Sequence, residues 1–310
     1  MNTKIVGIGQ TGVNIINNLI LSGISGVDFI TIDGDPAAVD VSIASNKILL
    51  NTKVPLRHFD IIEENNSKVL RDLTRLVNED LHELFSNDDF VIIIAGMGGV
   101  TGSRLAPAVA AVARERAASL IIGFLTLPFK IEGWRKIRTA EAGLQLFKRE
   151  ANTTITLSNE RLIRLIDRKT LLKDIFKPGN KIMCQGIMAL LGMMLEKYRF
   201  INVEFSDIKS ILFEGGQALL GIGKGSGENC VLEAAKRAID GPFLIGNLWN
   251  ANGILINAAG GQDLSLNQIE ETVSYIYETI GEVNVVSNAF IDTNFKDDEA
   301  MVTIIATMYD

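Results

Sequence analysis

At 310 residues the chain exceeds the size that one hydrophobic core usually serves, so two packed domains are expected. Hydrophobic residues make up 47% and charged residues 22%, the balance of an ordinary globular protein rather than a disordered or fibrous one. The net charge of −7, without a basic block or interleaved aromatic and basic residues, argues against nucleic-acid binding as the main activity.

The first predicted strand, residues 4–9, runs into a glycine turn, and a helix follows over 12–20. Gly7-Ile8-Gly9-Gln10-Thr11-Gly12 matches G-x-G-x-x-G, and a second strand over 27–32 ends at Asp33, near the spacing of a ribose-binding acid. Taken alone, this pattern favours an NAD-dependent Rossmann oxidoreductase. A helix cap and the turn Asp33-Gly34-Asp35-Pro36 also explain it without any ligand. Residues 51–60 contain no glycine; Lys53 and Arg57 offer charge-assisted contacts to a phosphate, although such cations are more often simply solvated. Residues 67–85 place Val69, Leu70, Leu73, Leu76, Val77, Leu81 and Leu84 at helical spacing, which predicts an amphipathic helix.

The chain is organised around residues 90–113. Phe90-Val91-Ile92-Ile93-Ile94 reads as a buried strand, Ala95-Gly96-Met97-Gly98-Gly99-Val100-Thr101-Gly102-Ser103 as a glycine loop, and 105–113 as a closely packed helix. Glycines let the main chain approach an anion closely, and successive N–H groups then converge on phosphate oxygens at a helix start. Thr101 and Ser103 add hydroxyl donors. A tight strand-to-helix turn without a ligand is the plainer alternative. No Gly-Lys-Ser/Thr follows, so this is not a Walker loop.

Further strands are expected at 120–125 and 153–157, and one long helix, apolar nearly all round, at 181–199. After it, Glu204 and Asp207 stand three residues apart, where two carboxylates share one face of a turn and can orient an attacking water. A helix start capped by Ser206 and Asp207 fits the same residues. The remainder, with strands at 218–223 and 301–307, predicts a mixed sheet with helices packed on it. Cys184 and Cys230 lie far apart and support neither a disulfide framework nor a metal site, and His58 and His82 are too few for a histidine-based centre. Met1-Asn2-Thr3-Lys4 runs straight into a strand, and no apolar run is long enough to cross a bilayer. A cytoplasmic protein with no direct membrane insertion is expected.

The loop Gly96-Met97-Gly98-Gly99-Val100-Thr101-Gly102-Ser103 resembles the tubulin/FtsZ signature, with Val100 where the family usually has glycine. Gly9-Gln10-Thr11-Gly12 resembles the tubulin form of the first turn, and Asp33-Gly34-Asp35-Pro36 resembles tubulin's acidic loop. By that analogy Gln10 and Asp35 lie near magnesium and the phosphates. Pro128-Phe129-Lys130-Ile131-Glu132-Gly133 resembles the family's Pro-Phe-x-x-Glu-Gly loop beside the ribose, which points to Glu132, and Lys136 stands where FtsZ often has arginine. Ser158-Asn159-Glu160-Arg161-Leu162 resembles the Asn-Asp/Glu-Arg/Lys-Leu segment, and Phe176 and Asn180 match residues placed around the base. An amide suits the mixed donor and acceptor edge of guanine, and an aromatic ring suits its face. Ile201-Asn202-Val203-Glu204-Phe205-Ser206-Asp207-Ile208 is similar to FtsZ's Asn-Val-Asp-Phe-Ala-Asp-Val loop, with glutamate in place of the first aspartate. The largest departure is 51–66, where FtsZ usually carries a second glycine loop that senses the terminal phosphate.

The resemblance implies a doubly wound, mostly parallel α/β nucleotide domain over 1–176, a central helix over 177–200, and an α+β domain with a mixed sheet over 201–310. It implies GTP and GDP as ligands with Mg2+, and head-to-tail self-association into filaments. One subunit would hold GTP on its glycine loops, and the next would supply Asn202, Glu204 and Asp207 for hydrolysis. Cell division is among the processes such filaments serve. FtsZ normally continues into a flexible linker and a partner-binding tail, which is expected to be absent here because the chain stops at Asp310. An NAD-dependent oxidoreductase and a non-hydrolysing structural or regulatory homologue are the alternative readings.

Overall fold

The structure is a computed structural model, and it describes residues 2–50, 56–58, 61, 66–86, 89–163, 169–171, 174–194, 203–244, 248–281 and 283–308. The chain divides into two compact units, Met1–Asn180 and Lys181–Asp310.

The first unit alternates strand and helix. β1 (Thr3–Ile8), α1 (Gly9–Leu21), β2 (Asp28–Asp33), α2 (Pro36–Asp40), β3 (Asn46–Leu49), α3 (Asn66–Leu81), β4 (Phe90–Gly96) and α4 (Val100–Glu115) come first. β5 (Leu120–Leu127), α5 (Trp134–Glu150), β6 (Thr153–Ser158) and α6 (Asn159–Leu162) complete it, and α7 (Lys177–Met194) begins within it. The sheet order is β3-β2-β1-β4-β5-β6, every pair parallel. The order turns back between β1 and β4, and in such sheets ligands bind beyond the carboxyl ends of the strands at that point. β4 is an unbroken apolar run because both its faces are covered. On one face Val91 and Ile93 join Leu73 and Val77 of α3 and Leu105 and Val109 of α4 in a single core. α1 packs against β1, β2 and β4.

The two helices that leave β1 and β4 are laid directly on backbone. A Cβ at Gly12 would stand 2.5 Å from the Gly7 carbonyl carbon and 2.8 Å from the Ile94 carbonyl oxygen. A Cβ at Gly102 would overlap the Gly96 carbonyl oxygen. Only glycine permits these approaches, so the two first turns sit at the strand ends themselves.

The second unit contains most of α7, then α8 (Phe205–Leu212), β7 (Gly216–Ser226), α9 (Cys230–Ile239), β8 (Ala251–Gly260), α10 (Leu266–Ile280), β9 (Asn284–Ile291) and β10 (Glu299–Met308). Its strand order is β7-β10-β8-β9, with β10 antiparallel to both neighbours and β8 parallel to β9. Val231 and Ala235 of α9 and Ile269 and Ile276 of α10 share a core with Ile254, Ile256, Val302 and Ile304. The doubly wound α/β unit and the mixed α+β unit agree with the expected fold class. The division between units falls inside α7, whose Met183, Ile187, Leu190 and Leu191 are buried.

Gly12→Ala forces atoms into fixed backbone rather than into a yielding side chain. It is expected to cost about 1–3 kcal/mol, as overpacking does, and to lower the melting temperature by on the order of 5 °C. Thermal unfolding of the variant beside the parent chain checks this.

Candidate functional site

A cleft of about 470 Å3 opens beyond the carboxyl ends of β1 and β4. α1 starts at Gly9 directly after β1, and α4 starts at Val100 after the turn that leaves β4. Neither helix has a side chain capping its first turn, and neither carries an acid there. The first N–H groups of a helix have no intrahelical partner, and the helix dipole adds positive potential around them. Gly9, Gln10 and Thr11 from one helix and Gly99, Val100, Thr101 and Gly102 from the other line the same cleft, with Gly96 between them. Two uncapped starts over one cavity form an anion site suited to a chain of phosphates.

Carboxylates also face this end. Asp33 closes β2 and is buried; its Oδ1 accepts from the Asp35 N–H at 3.1 Å and from the Thr101 hydroxyl at 3.4 Å. Burial pushes its carboxyl above the ordinary range, the nearby Asp35 charge adds to the rise, and these hydrogen bonds only partly oppose it. Asp35 caps α2, accepting from the Ala37 N–H at 3.0 Å. Gln10 donates to Asn14 one helical turn on, at 3.1 Å.

The far end suits a flat polar ring. Asn159 begins α6, is only 6% exposed and lines the cleft. Phe176 is 47% exposed, with its ring 5.6 Å from that of Phe129, and Asn180 lies one turn further along. Glu132 lines the wall between the two ends; it accepts from the Phe129 N–H at 2.8 Å and from the Lys136 ammonium at 3.0 Å.

Three residues expected at the site do not line it: Gly98, Ser103 and Lys136. Gly98 takes a φ of +97° and donates its N–H to the buried Ser103 hydroxyl at 2.7 Å, so this pair braces the loop from behind. Lys136 is drawn aside by Glu132. Conversely, Asn14, Asp33, Thr126 and Gly179 line the cleft without having been assigned to a nucleotide phosphate or base. Asn14 had a readable signal, four residues after Gln10 on the same helix face.

The strand order 3-2-1-4-5-6 also occurs in dinucleotide-binding folds and does not separate the readings. The comparisons with known proteins do. The model of the tubulin/FtsZ family GTPase domain matches residues 2–167, and that of the FtsZ family C-terminal domain matches 216–310. The chain belongs to the tubulin/FtsZ family.

Among solved structures, an FtsZ dimer from M. jannaschii superposes with a TM-score of 0.88 at 28% identity, over 99% of this chain and 88% of that one. The W319Y mutant of M. jannaschii FtsZ gives 0.84 at 28% identity, over 99% and 90%. CetZ from Methanosaeta thermophila strain DSM 6194, at 18% identity, shares the fold with a TM-score of 0.79 over 99% and 86%. Family membership places the first glycine turn in a GTPase domain, not in an oxidoreductase, and makes guanine nucleotide the ligand class. Val100, the departure from the family's glycine, opens α4 at ordinary helical angles, so the valine costs no strained φ.

In the second unit Glu204 and Asp207 stand exposed at the start of α8. The Asp207 carboxylate accepts the Glu204 N–H at 2.9 Å, and the Ser206 hydroxyl donates to Glu204 at 3.2 Å. Asn202 lies outside the described residues, as do Lys53 and most of 51–60; Arg57 is exposed in a short turn at Leu56–His58. Magnesium generally takes one or two carboxylates, with phosphates and water as its other ligands. Asp33 and Asp35 meet that need, although no group of three or more His, Cys, Asp or Glu gathers among the described residues. No helix among the described residues is long and apolar enough to cross a membrane.

The raised carboxyl of Asp33 has a thermodynamic consequence. The folded chain holds that proton to higher pH than the unfolded chain, so stability falls as pH rises from the ordinary carboxylate range through the raised value. Asp33→Asn keeps an oxygen acceptor and removes the charge. It is expected to melt above the parent at pH 7, with the gain shrinking to nothing below pH ~4, as a pH series of thermal melts will register.

Proposed function

We propose that this FtsZ-like member of the family hydrolyses GTP only on self-association, in head-to-tail filaments, with the cleft of one subunit completed by α8 of the next. The observation that carries the reading is an imbalance within the cleft. It offers main-chain donors for phosphates and the amide of Asn159 for a base, while each carboxylate lining it holds a local bond. Asp33 holds Thr101 and the Asp35 N–H, Asp35 caps α2, and Glu132 is held by Phe129 and Lys136. The acids proposed to orient the attacking water are Glu204 and Asp207, which are exposed on one helix start and match the FtsZ loop that completes a neighbouring subunit's site. The similarity to a structure described as an FtsZ dimer supports self-association.

In this account the starts of α1 and α4 hold the phosphates and Thr101 adds a hydroxyl. Asn159 pairs with the guanine edge, Phe176 and Asn180 border the base, and Glu132 stands beside the ribose. Magnesium would be held by Asp35, with Asp33 and Gln10 nearby, and would neutralise charge on the phosphates. Asp207, assisted by Glu204 and Asn202, orients the attacking water; phosphoryl transfer asks mainly for such positioning and electrostatics. The extra methylene of Glu204 relative to aspartate shifts one of these groups, and small displacements affect rate strongly. Cell division is the process proposed for such a filament.

A non-hydrolysing homologue is favoured by one observation: the Asp207 carboxylate already accepts a helix-capping bond. Two substitutions separate the roles. Asp207→Ala removes cap and charge together and is expected to cost about 1 kcal/mol. Asp207→Asn keeps an acceptor for the cap, so it should melt with the parent yet hydrolyse GTP on the order of a hundredfold more slowly. Parent activity per subunit should rise with protein concentration. A parent that binds the nucleotide without turning it over would select the non-hydrolysing reading, whereas unchanged turnover in Asp207→Asn would remove Asp207 from the water-orienting role.

The base contact has its own test. Asn159→Ala is expected to weaken GDP binding about tenfold or more, since a buried polar partner is lost. Equilibrium titration with GDP measures this, and NAD is expected not to compete.

A further inference from the structure

Between Phe129 and α5 the chain carries two large apolar side chains in water: Ile131 is 93% exposed and Trp134 is 70% exposed. They flank Glu132, and its bonds to the Phe129 N–H and to Lys136 fix the turn that presents them. Neighbouring exposed apolar residues of this size mark a surface that something covers, and tryptophan is among the residues that dominate such contacts. Lys130, Arg135 and Lys136 are exposed around them, which makes the segment basic as well as apolar.

We infer that Ile131 and Trp134 are the anchors by which a second copy of this chain docks over the cleft. The inference rests on the proposed head-to-tail assembly. The occupant is argued from charge. α8 in the second unit starts with exposed Glu204 and Asp207 and is followed by exposed Phe213 and Glu214, with Lys209 stacked 5.1 Å from the Phe213 ring. Acids at both ends of α8, with an aromatic ring beside one of them, complement a basic and apolar turn, and such pairing steers encounter and fixes register. Because Glu132 lines the cleft while holding the anchor turn, contacts made there bear on how the anchors are presented.

The test is the double variant Ile131→Ser/Trp134→Ser. Neither side chain lines the cleft, so GDP affinity should stay within about twofold of the parent and the melting temperature should be unchanged. The protein concentration needed for GTP-dependent light scattering should rise about tenfold or more, the scale of losing two anchors, and hydrolysis per subunit should fall with it. In a Trp249→Phe background, emission from Trp134 should shift to the blue as the parent assembles. If the parent binds GTP and never assembles, the self-association reading fails and this inference with it. If the parent assembles and the double variant assembles equally well, or Trp134 emission stays that of a solvated indole in the polymer, the anchor assignment alone is overturned.

Discussion

Everything at the functional end depends on two helices whose first turns are left uncapped over one cavity. A side chain from Ile8 or Gly99 cannot supply the missing acceptor, and no acid in either first turn takes its place. The donors of α1 and α4 therefore stay available, and the sheet holds them side by side because β1 and β4 are neighbours where the strand order reverses. Among the described residues lining the cleft there is no lysine or arginine, while Asp33, Asp35 and Glu132 are all acidic. Attraction for an anion thus comes from oriented main chain and not from mobile cations. That attraction is built into the fold and costs little side-chain entropy on binding.

The acids work in the other direction. A buried carboxylate at Asp33 opposes folding at neutral pH, so the folded chain carries a cost at the edge of the cleft. Glu132 joins the wall of the cleft, the cap of its own turn and the segment that bears Trp134, so one carboxylate belongs to three local arrangements at once. Asp207 similarly combines a cap with the charge that the proposed hydrolysis draws on. Residues of this kind resist simple assignment, because removing them changes local structure and chemistry together.

Contiguous features were legible in the chain. The loop 96–103, the turn at 9–12 and the segment 128–133 each carry their geometry in consecutive residues, and the alternation of strand and helix announced a doubly wound sheet. What escaped notice depended on distant parts meeting. Thr126 and Asn14 join the cleft only because the ends of β5 and β1 converge beyond the same sheet edge. Ser103 reads as a phosphate donor from composition, but its hydroxyl turns inward to Gly98, a choice set by the positive φ of that glycine. Val100 looks like a stiffened loop residue until it is seen to begin a helix. The helix expected over 67–85 ends instead at Leu81, where the apolar period continues into Leu84 and Phe85 without further helical turns.

The seating of Gly12 and Gly102 closes one common route to a hardier protein. Replacing glycine by alanine often stabilises a fold by narrowing the unfolded ensemble, provided the native backbone has room for a methyl group. Here that room is taken by the carbonyls of Gly96 and Ile94 and by the Gly7 backbone, so the unfolded chain must keep its loosest hinges beside the very loops that need to be most rigid when folded. Greater heat tolerance has to be sought in the outer helices or through ligand occupancy, because the floor of the cleft has no space for a methyl group at these two positions.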